Sequence, residues 1–252
     1  MLHAQIFGNG TPFVILHGFL GMGDNWKTLG KKFAKEGYEV HLVDQRNHGR
    51  SFHDDAFNYS LMAEDLQEYC EHKELKNIVL LGHSMGGKTA MQYATLHPKN
   101  VAKLLVADIA PKSYPQHHQD ILKGLASLDF DEIESREEAD EMLSEYIPEQ
   151  GVRLFLLKNL YWKEKGKLAL RMNLPVLTKN IEEVGIALPN DATFEGDTLF
   201  LKGAKSGYIV PMDEIVIKKH FPKAEIVTIS KAGHWLHAEN PSEFHQNVMK
   251  FL

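Results

Sequence analysis

The sequence predicts an α/β protein built on a mostly parallel sheet with helices on both faces, interrupted before its last strands by a helical insertion. Short apolar runs alternate with helical patterns along much of the chain, as consecutive β-α units do. Ile78-Val79-Leu80-Leu81 is an unbroken apolar run ending at a glycine, which is how a strand covered on both faces reads. From about Lys112 to Glu195 the alternation stops and only helical periodicity remains.

At 252 residues, 43% hydrophobic and 25% charged, the chain suits one large globular domain carrying an insertion. Residues 1–111 and 196–252 are expected to form the core and residues 112–195 the insertion, all as one structural unit. A formal net charge of −6 argues against the clustered basic surface that nucleic acids require. The opening MLHAQIFGNG lacks a basic segment followed by an apolar core, and no apolar run approaches the ~18 residues of a membrane span. The expectation is a cytoplasmic protein without membrane contact. Cys70, the single cysteine, has no disulfide partner and no ligand cluster, and reads as a half-buried helix residue.

Taken in order, Leu2–Phe7 and Phe13–Leu16 read as strands around a turn, the second running into His17-Gly18-Phe19. Asp24 or Asn25 caps a helix through Lys35, and Glu39–Asp44 is the next strand. In the charged loop Asp44–Ser51, the residues Asp44, Arg46 and His48 are assigned to holding the loop in shape. Ser60 caps a helix to His72. The helix from Met85 carries an apolar face of Ala90, Met91, Tyr93, Ala94 and Leu96 and stops before Pro98. Val101–Asp108 is a buried strand. Within the insertion Asp120–Leu128, Ser135–Tyr146, Glu149–Leu160 and Val176–Gly185 read as helices, and the acidic stretch Asp129–Glu149 as a solvated face. The sheet resumes at Thr198–Leu201 and Glu225–Ile229 around a helix Asp213–Phe221, and Pro241–Leu252 closes the chain as a helix.

Between the central strand and its helix stands Gly82-His83-Ser84-Met85-Gly86. A serine nucleophile must stand clear of the sheet on a sharp turn, where a side chain at either flanking glycine would strike its neighbours. The N–H of Met85 then faces the attacked carbonyl at a helix N-terminus, which favours an oxyanion. A rival shares these letters. Gly82–Thr89 also fits the phosphate-cradling P-loop, and Val101–Asp108 resembles an apolar strand ending in a magnesium-binding aspartate. Three strand segments precede the motif, however, whereas a P-loop commonly follows the first strand of its domain. The rival also leaves His17-Gly18-Phe19, the insertion and the loop Lys231–His237 unexplained, and Lys88 and Thr89 then read as structural helix residues. Open α/β sheets do their chemistry at the carboxyl ends of strands, so Asp108 shares a rim with Ser84, and His234 lies in a glycine loop on the same rim.

With HGF at 17–19, GHSMGGK at 82–88, DIAP at 108–111 and AGHWLHAENP at 232–241 in register, the chain resembles the α/β-hydrolase superfamily along nearly its full length. It looks most like the small bacterial esterases of the YbfF type. The resemblance implies the α/β-hydrolase fold, with residues 112–195 as a helical cap that roofs Ser84 and chooses the substrate. It supplies the chain order serine, acid, histidine, and a second oxyanion donor, the Phe19 N–H, beside that of Met85. Most superfamily members carry the acid in a loop after the strand that follows the cap. Here that loop, Gly203–Tyr208, has no carboxylate, Asp197 precedes the strand, and Asp213 opens the next helix. The YbfF type places the acid before the cap, at Asp108, which is preferred here to Asp213.

The implied enzyme is a serine hydrolase in which His234 takes the proton of Ser84, Asp108 holds the imidazole, and water releases the acyl group, with no metal or organic cofactor. Expected substrates are carboxylic esters or thioesters with small to medium acyl chains, acyl-CoA among them, met by a monomer or homodimer. Phe19, Trp235 and Leu236 are the candidates for touching substrate. Carbon–carbon bond hydrolysis or peracid formation by the same triad is the alternative, and P-loop nucleotide binding a distant one. A binding protein on a retired hydrolase fold would drop members of the triad, and all three are present here.

Overall fold

The structure, a computed structural model, describes all 252 residues. The strands in chain order are β1 (Ala4–Phe7), β2 (Thr11–Leu16), β3 (Tyr38–Val43), β4 (Ile78–His83), β5 (Val101–Ala107), β6 (Leu160–Glu164), β7 (Lys167–Leu170), β8 (Asp197–Gly203) and β9 (Ala224–Ile229). Seven of them form one sheet in the order β1-β3-β2-β4-β5-β8-β9. Only β1 runs antiparallel, on β3; every other pair is parallel.

The two-residue period of each strand divides its side chains between two cores. Val14, Leu16, Ile78, Leu80, Leu104, Val106 and Phe200 point to one face, where they meet helices α2 (Tyr59–His72), α3 (Met85–Leu96) and α9 (Asp213–His220). Phe13, Ile15, Val79, Leu81, Leu105, Leu199 and Leu201 point to the other, against α1 (Lys27–Lys35) and α11 (Pro241–Phe251). An apolar run without alternation is what such two-sided burial requires, and β4 is buried at all six positions.

Between β5 and β8 the chain builds α4 (Gln119–Ala126), α5 (Arg136–Ser144), α6 (Gln150–Leu157), the pair β6–β7, α7 (Leu174–Lys179) and α8 (Ile181–Val184). Its apolar residues form a third cluster that also takes in Phe19, Leu20, Phe57, Met62 and Met85 from the rim of the sheet. The insertion therefore sits over Ser84. Periodicity predicts that it is wholly helical, and it is not: residues 160–170 form an antiparallel hairpin whose tight turn uses Gly166 at φ 80°. Three smaller corrections apply. Asn58, not Ser60, caps α2, its side chain accepting from the Leu61 N–H (2.9 Å). A 3-10 turn at Gly23–Trp26 precedes α1, so that helix starts at Lys27. Cys70 is fully buried rather than half-buried. No helix is long and apolar enough to cross a membrane.

Candidate active site

Ser84 stands in the turn from β4 into α3 at φ 53° and ψ −119°, a backbone strained for a residue with a Cβ, which costs roughly 1–3 kcal/mol. The glycines on either side make the turn possible. A Cβ on Gly82 would lie 2.1 Å from the Gly86 carbonyl oxygen, and one on Gly86 would lie 2.5 Å from the Leu16 and His17 carbonyl oxygens. Asp108 leaves β5 with the same φ of 53°. The ladder extends one residue beyond each strand to fix both: the Ser84 N–H donates to Ala107 (3.0 Å) and the Asp108 N–H to Leu201 (2.8 Å).

His234 joins them. Its Nδ1–H donates to Asp108 Oδ2 at 2.8 Å, and its Nε2 accepts from the Ser84 hydroxyl at 3.0 Å. The Asp108 side chain is fully buried, and its remaining acceptor sites are filled by the Gly203 N–H (2.9 Å) and the Ser206 hydroxyl. His83 donates from Nε2 to the His234 carbonyl (2.8 Å), holding the backbone of that loop. The Tyr208 ring lies flat on the His234 imidazole, with centroids 3.9 Å apart and planes 16° from parallel. Asp213 is engaged elsewhere, paired with Lys112 (2.7 Å) and accepting from the Val210 N–H (2.8 Å).

Gly18 is pressed against this centre, since a Cβ there would lie 2.9 Å from His83 Nδ1 and 3.4 Å from the Ser84 Cβ. The next N–H, that of Phe19, donates no hydrogen bond within the chain. Met85 opens α3, where an N–H has no intrahelical acceptor. The loop behind them is set by neutral histidines. His17 donates from Nδ1 to the Gly18 carbonyl (2.8 Å) and accepts at Nε2 from the Gln45 N–H (3.0 Å). His48 donates to the Arg46 carbonyl (2.9 Å) and accepts from the Leu20 N–H (3.2 Å). Burial pushes His17 down to about 4 and His48 to about 3, so both keep a lone pair to accept with. Asp44 and Arg46 hold the same loop, as the sequence suggests: Asp44 accepts from the Gly23 and Arg50 N–H groups, and Arg46 forks onto Asp65.

An apolar cavity of about 260 Å³ opens over Ser84. Phe19 and Trp235 line it with Phe155, Leu156 and Val152 of the insertion. Leu236 does not: it is fully buried in the core on the α1–α11 side of the sheet, because it begins the short helix α10 (Leu236–Glu239) and turns inward. His117, His118 and Tyr208 also face the cavity, and sequence reasoning missed all three along with Ser206. Their roles come from contacts between distant segments, as when His117 Nε2 meets the Tyr208 hydroxyl at 2.5 Å across 91 residues. Burial holds His118 near 4, and its Nδ1 is buried without a partner. Lys88 and Thr89, the pair that completes a P-loop pattern, are both buried and turned to peptide carbonyls, Thr89 to Met85 and Lys88 to Lys112 and Ile186.

A family profile described as the alpha/beta hydrolase fold matches residues 11–135. A putative esterase/lipase of Haemophilus influenzae is 37% identical over 250 residues, covering 96% of this chain and 83% of that protein. The chain belongs to the α/β-hydrolase family. Within it, Escherichia coli esterase YbfF is 30% identical over 99% of this chain and 96% of its own length. A solved structure described as a marine microorganism esterase superposes with a TM-score of 0.96 at 43% identity, covering 100% of this chain and 99% of that one.

Proposed function

We propose that the protein is a serine carboxylesterase in which Ser84 attacks the acyl carbonyl, His234 takes its proton, and Asp108 holds the imidazole and offsets the charge it gains. The observation that carries this reading is the hydrogen-bond chain from Ser84 Oγ to His234 Nε2 (3.0 Å) and from His234 Nδ1 to Asp108 Oδ2 (2.8 Å), at the floor of an apolar cavity. The oxyanion of the tetrahedral intermediate sits between the N–H groups of Phe19 and Met85. His234 returns the proton to the departing alkoxide, leaving the acyl group on Ser84. It then takes a proton from water as that water attacks, and the carboxylic acid leaves as Ser84 recovers its hydrogen.

Residues 112–195 act as the cap that selects substrate, with Phe19 and Trp235 opposite it. No lysine or arginine lines the cavity, which favours uncharged groups there, and the relatives named as esterases support an ester as the substrate. At about 260 Å³ the cavity is just below the ~300–1,000 Å³ of typical ligand pockets, which favours small to medium acyl chains over long ones.

The test is fluorophosphonate labelling of wild type, Ser84→Ala, Asp108→Asn and Asp213→Asn, followed by turnover of p-nitrophenyl esters of increasing chain length and of acyl-CoA. Labelling is expected to vanish in Ser84→Ala. Turnover is expected to drop by roughly 10⁴ in Asp108→Asn, which misorients the imidazole, and far less in Asp213→Asn. Turnover that survives Ser84→Ala overturns the reading. The acyl-CoA series decides whether thioesters are substrates, and a diketone added to the panel decides for carbon–carbon hydrolysis.

A further inference from the structure

Lys88 belongs to α3, the helix that Ser84 caps, and its own N–H closes on the Ser84 carbonyl (3.1 Å). The side chain is 2% exposed, and its ammonium donates to two peptide carbonyls, those of Lys112 and Ile186. These carbonyls lie on the two linkers by which the chain enters and leaves the insertion. The linkers are also bonded to each other, Tyr114 N–H to Gly185 and Leu188 N–H to Pro111, at 2.8 and 2.9 Å. No carboxylate lies within ion-pair distance of Lys88; Asp213 is paired with Lys112, and the Tyr114 ring lies 5.2 Å from the Lys88 ammonium. Burial, with the Lys112 charge second, pushes Lys88 down to about 7. Such a group is costly to bury, and two carbonyl contacts are what it offers in return.

Its position gives those contacts a purpose. A cavity of about 200 Å³ lies against the outgoing linker, lined by Tyr59, Lys88, Gln92, Glu183, Ile186 and Leu188, so that around Ile186, itself 45% exposed, packing does not hold the linker, which rejoins the core only at Leu188. The incoming linker carries His117 and His118 into the wall over Ser84, and through His117 and Tyr114 it touches Tyr208, the ring stacked on His234. We propose that Lys88 is a positioning residue: its ammonium ties both cap linkers to the helix that carries Ser84 and so sets how closely the cap wall closes on the substrate.

This inference rests on the serine-esterase reading, and the experiment separates the two. Wild type, Lys88→Met and Lys88→Arg are compared by labelling with a small alkyl fluorophosphonate, by kcat and KM for p-nitrophenyl butyrate, and by amide hydrogen exchange. Methionine keeps the bulk and removes the donors; arginine keeps donors and charge. For Lys88→Met the expected result is near-normal labelling, a KM raised about tenfold with kcat little changed, and faster exchange confined to the linkers, Tyr114 and Leu188 above all. Lys88→Arg should stay near wild type. An unchanged KM or unchanged linker exchange in Lys88→Met overturns the proposal. So does exchange that rises throughout the sheet together with lost labelling, which marks a core lysine with no bearing on the cap. If wild type is not labelled at all, the esterase reading fails, and linker exchange alone decides whether Lys88 is a clamp.

Discussion

At the scale of single residues, the turn that presents Ser84 is paid for at Gly82 and Gly86. An alanine at 82 would force its Cβ to 2.1 Å from a backbone oxygen that cannot move without taking α3 with it. Gly82→Ala is therefore expected to lose about 3 kcal/mol or more, a Tm drop of roughly 6–12 °C by thermal unfolding. Gly151 is the control. It lies in α6 with nothing within 4 Å of the place an added methyl group would take, so Gly151→Ala should stabilise by about 0.4–1 kcal/mol through the unfolded chain alone. Ser84, Asp108 and His234 were legible as neighbours in the sequence because each follows a recognisable strand and the rim of an α/β sheet is a common meeting place. Ser206, Tyr208, His117 and His118 were not, because no local pattern says which loop folds over which. Leu236 was misjudged for the same reason: its neighbour Trp235 faces the cavity, but the start of a short helix turns Leu236 into the core.

Among the elements, the central strands of the sheet, β4 above all, were readable because two-sided burial writes itself as apolar runs, whereas the edge strands β1 and β9, largely unburied, stood out only by their β-branched and aromatic residues between turns. The hairpin at 160–170 was not: it has solvent on much of its surface, with Trp162 52% exposed, and its strand pattern dissolves into the charged Lys163–Lys167. Capping was half readable, since Asn58 and Ser60 are both capping types and are distinguished only by the extended backbone at Asn58 and the Leu61 N–H its side chain accepts from. The loop after β3 is anchored to α2 by Arg46, whose Nε and Nη2 meet Asp65 at 2.5 and 2.8 Å with both side chains largely buried. Asp65→Ala removes the forked partner of that guanidinium, leaving it the Ala56 carbonyl (2.8 Å) and Asp54 at 3.9 Å, and is expected to cost about 3 kcal/mol in chemical denaturation. In the cap, Phe155 narrows the cavity against Trp235, their rings 5.9 Å apart. Phe155→Ala should shift the preferred p-nitrophenyl ester to longer chains; an unaltered chain-length profile would show that the cavity wall does not set the limit.

Over the whole molecule, burial lowers seven histidines, His41 and His245 among them, and holds five neutral well below 6.5: His17 and His118 near 4, His48 and His237 near 3, and His83. In the unfolded chain each takes up a proton near its ordinary value of about 6.5. Above that pH these rings are neutral in both states and their own contribution is complete. As pH falls below it, the unfolded state binds protons that the folded state refuses, and stability declines until the folded-state values are reached. Each group contributes up to about 1.4 kcal/mol per pH unit in that window. Between about pH 6.5 and about 4.5 Tm should fall, less steeply in His48→Gln; a Tm that holds steady across that window would show that the rings are not kept neutral. Order along the chain matters as much as proximity in space. Asp108 closes the strand beside that of Ser84, but His234 lies 126 residues beyond Asp108, past the whole insertion. A chain emerging from the ribosome therefore presents its serine for most of its synthesis with nothing to draw off the proton. On the serine-esterase reading, hydrolytic power is the last property the chain acquires, since no copy truncated before His234 has the full triad.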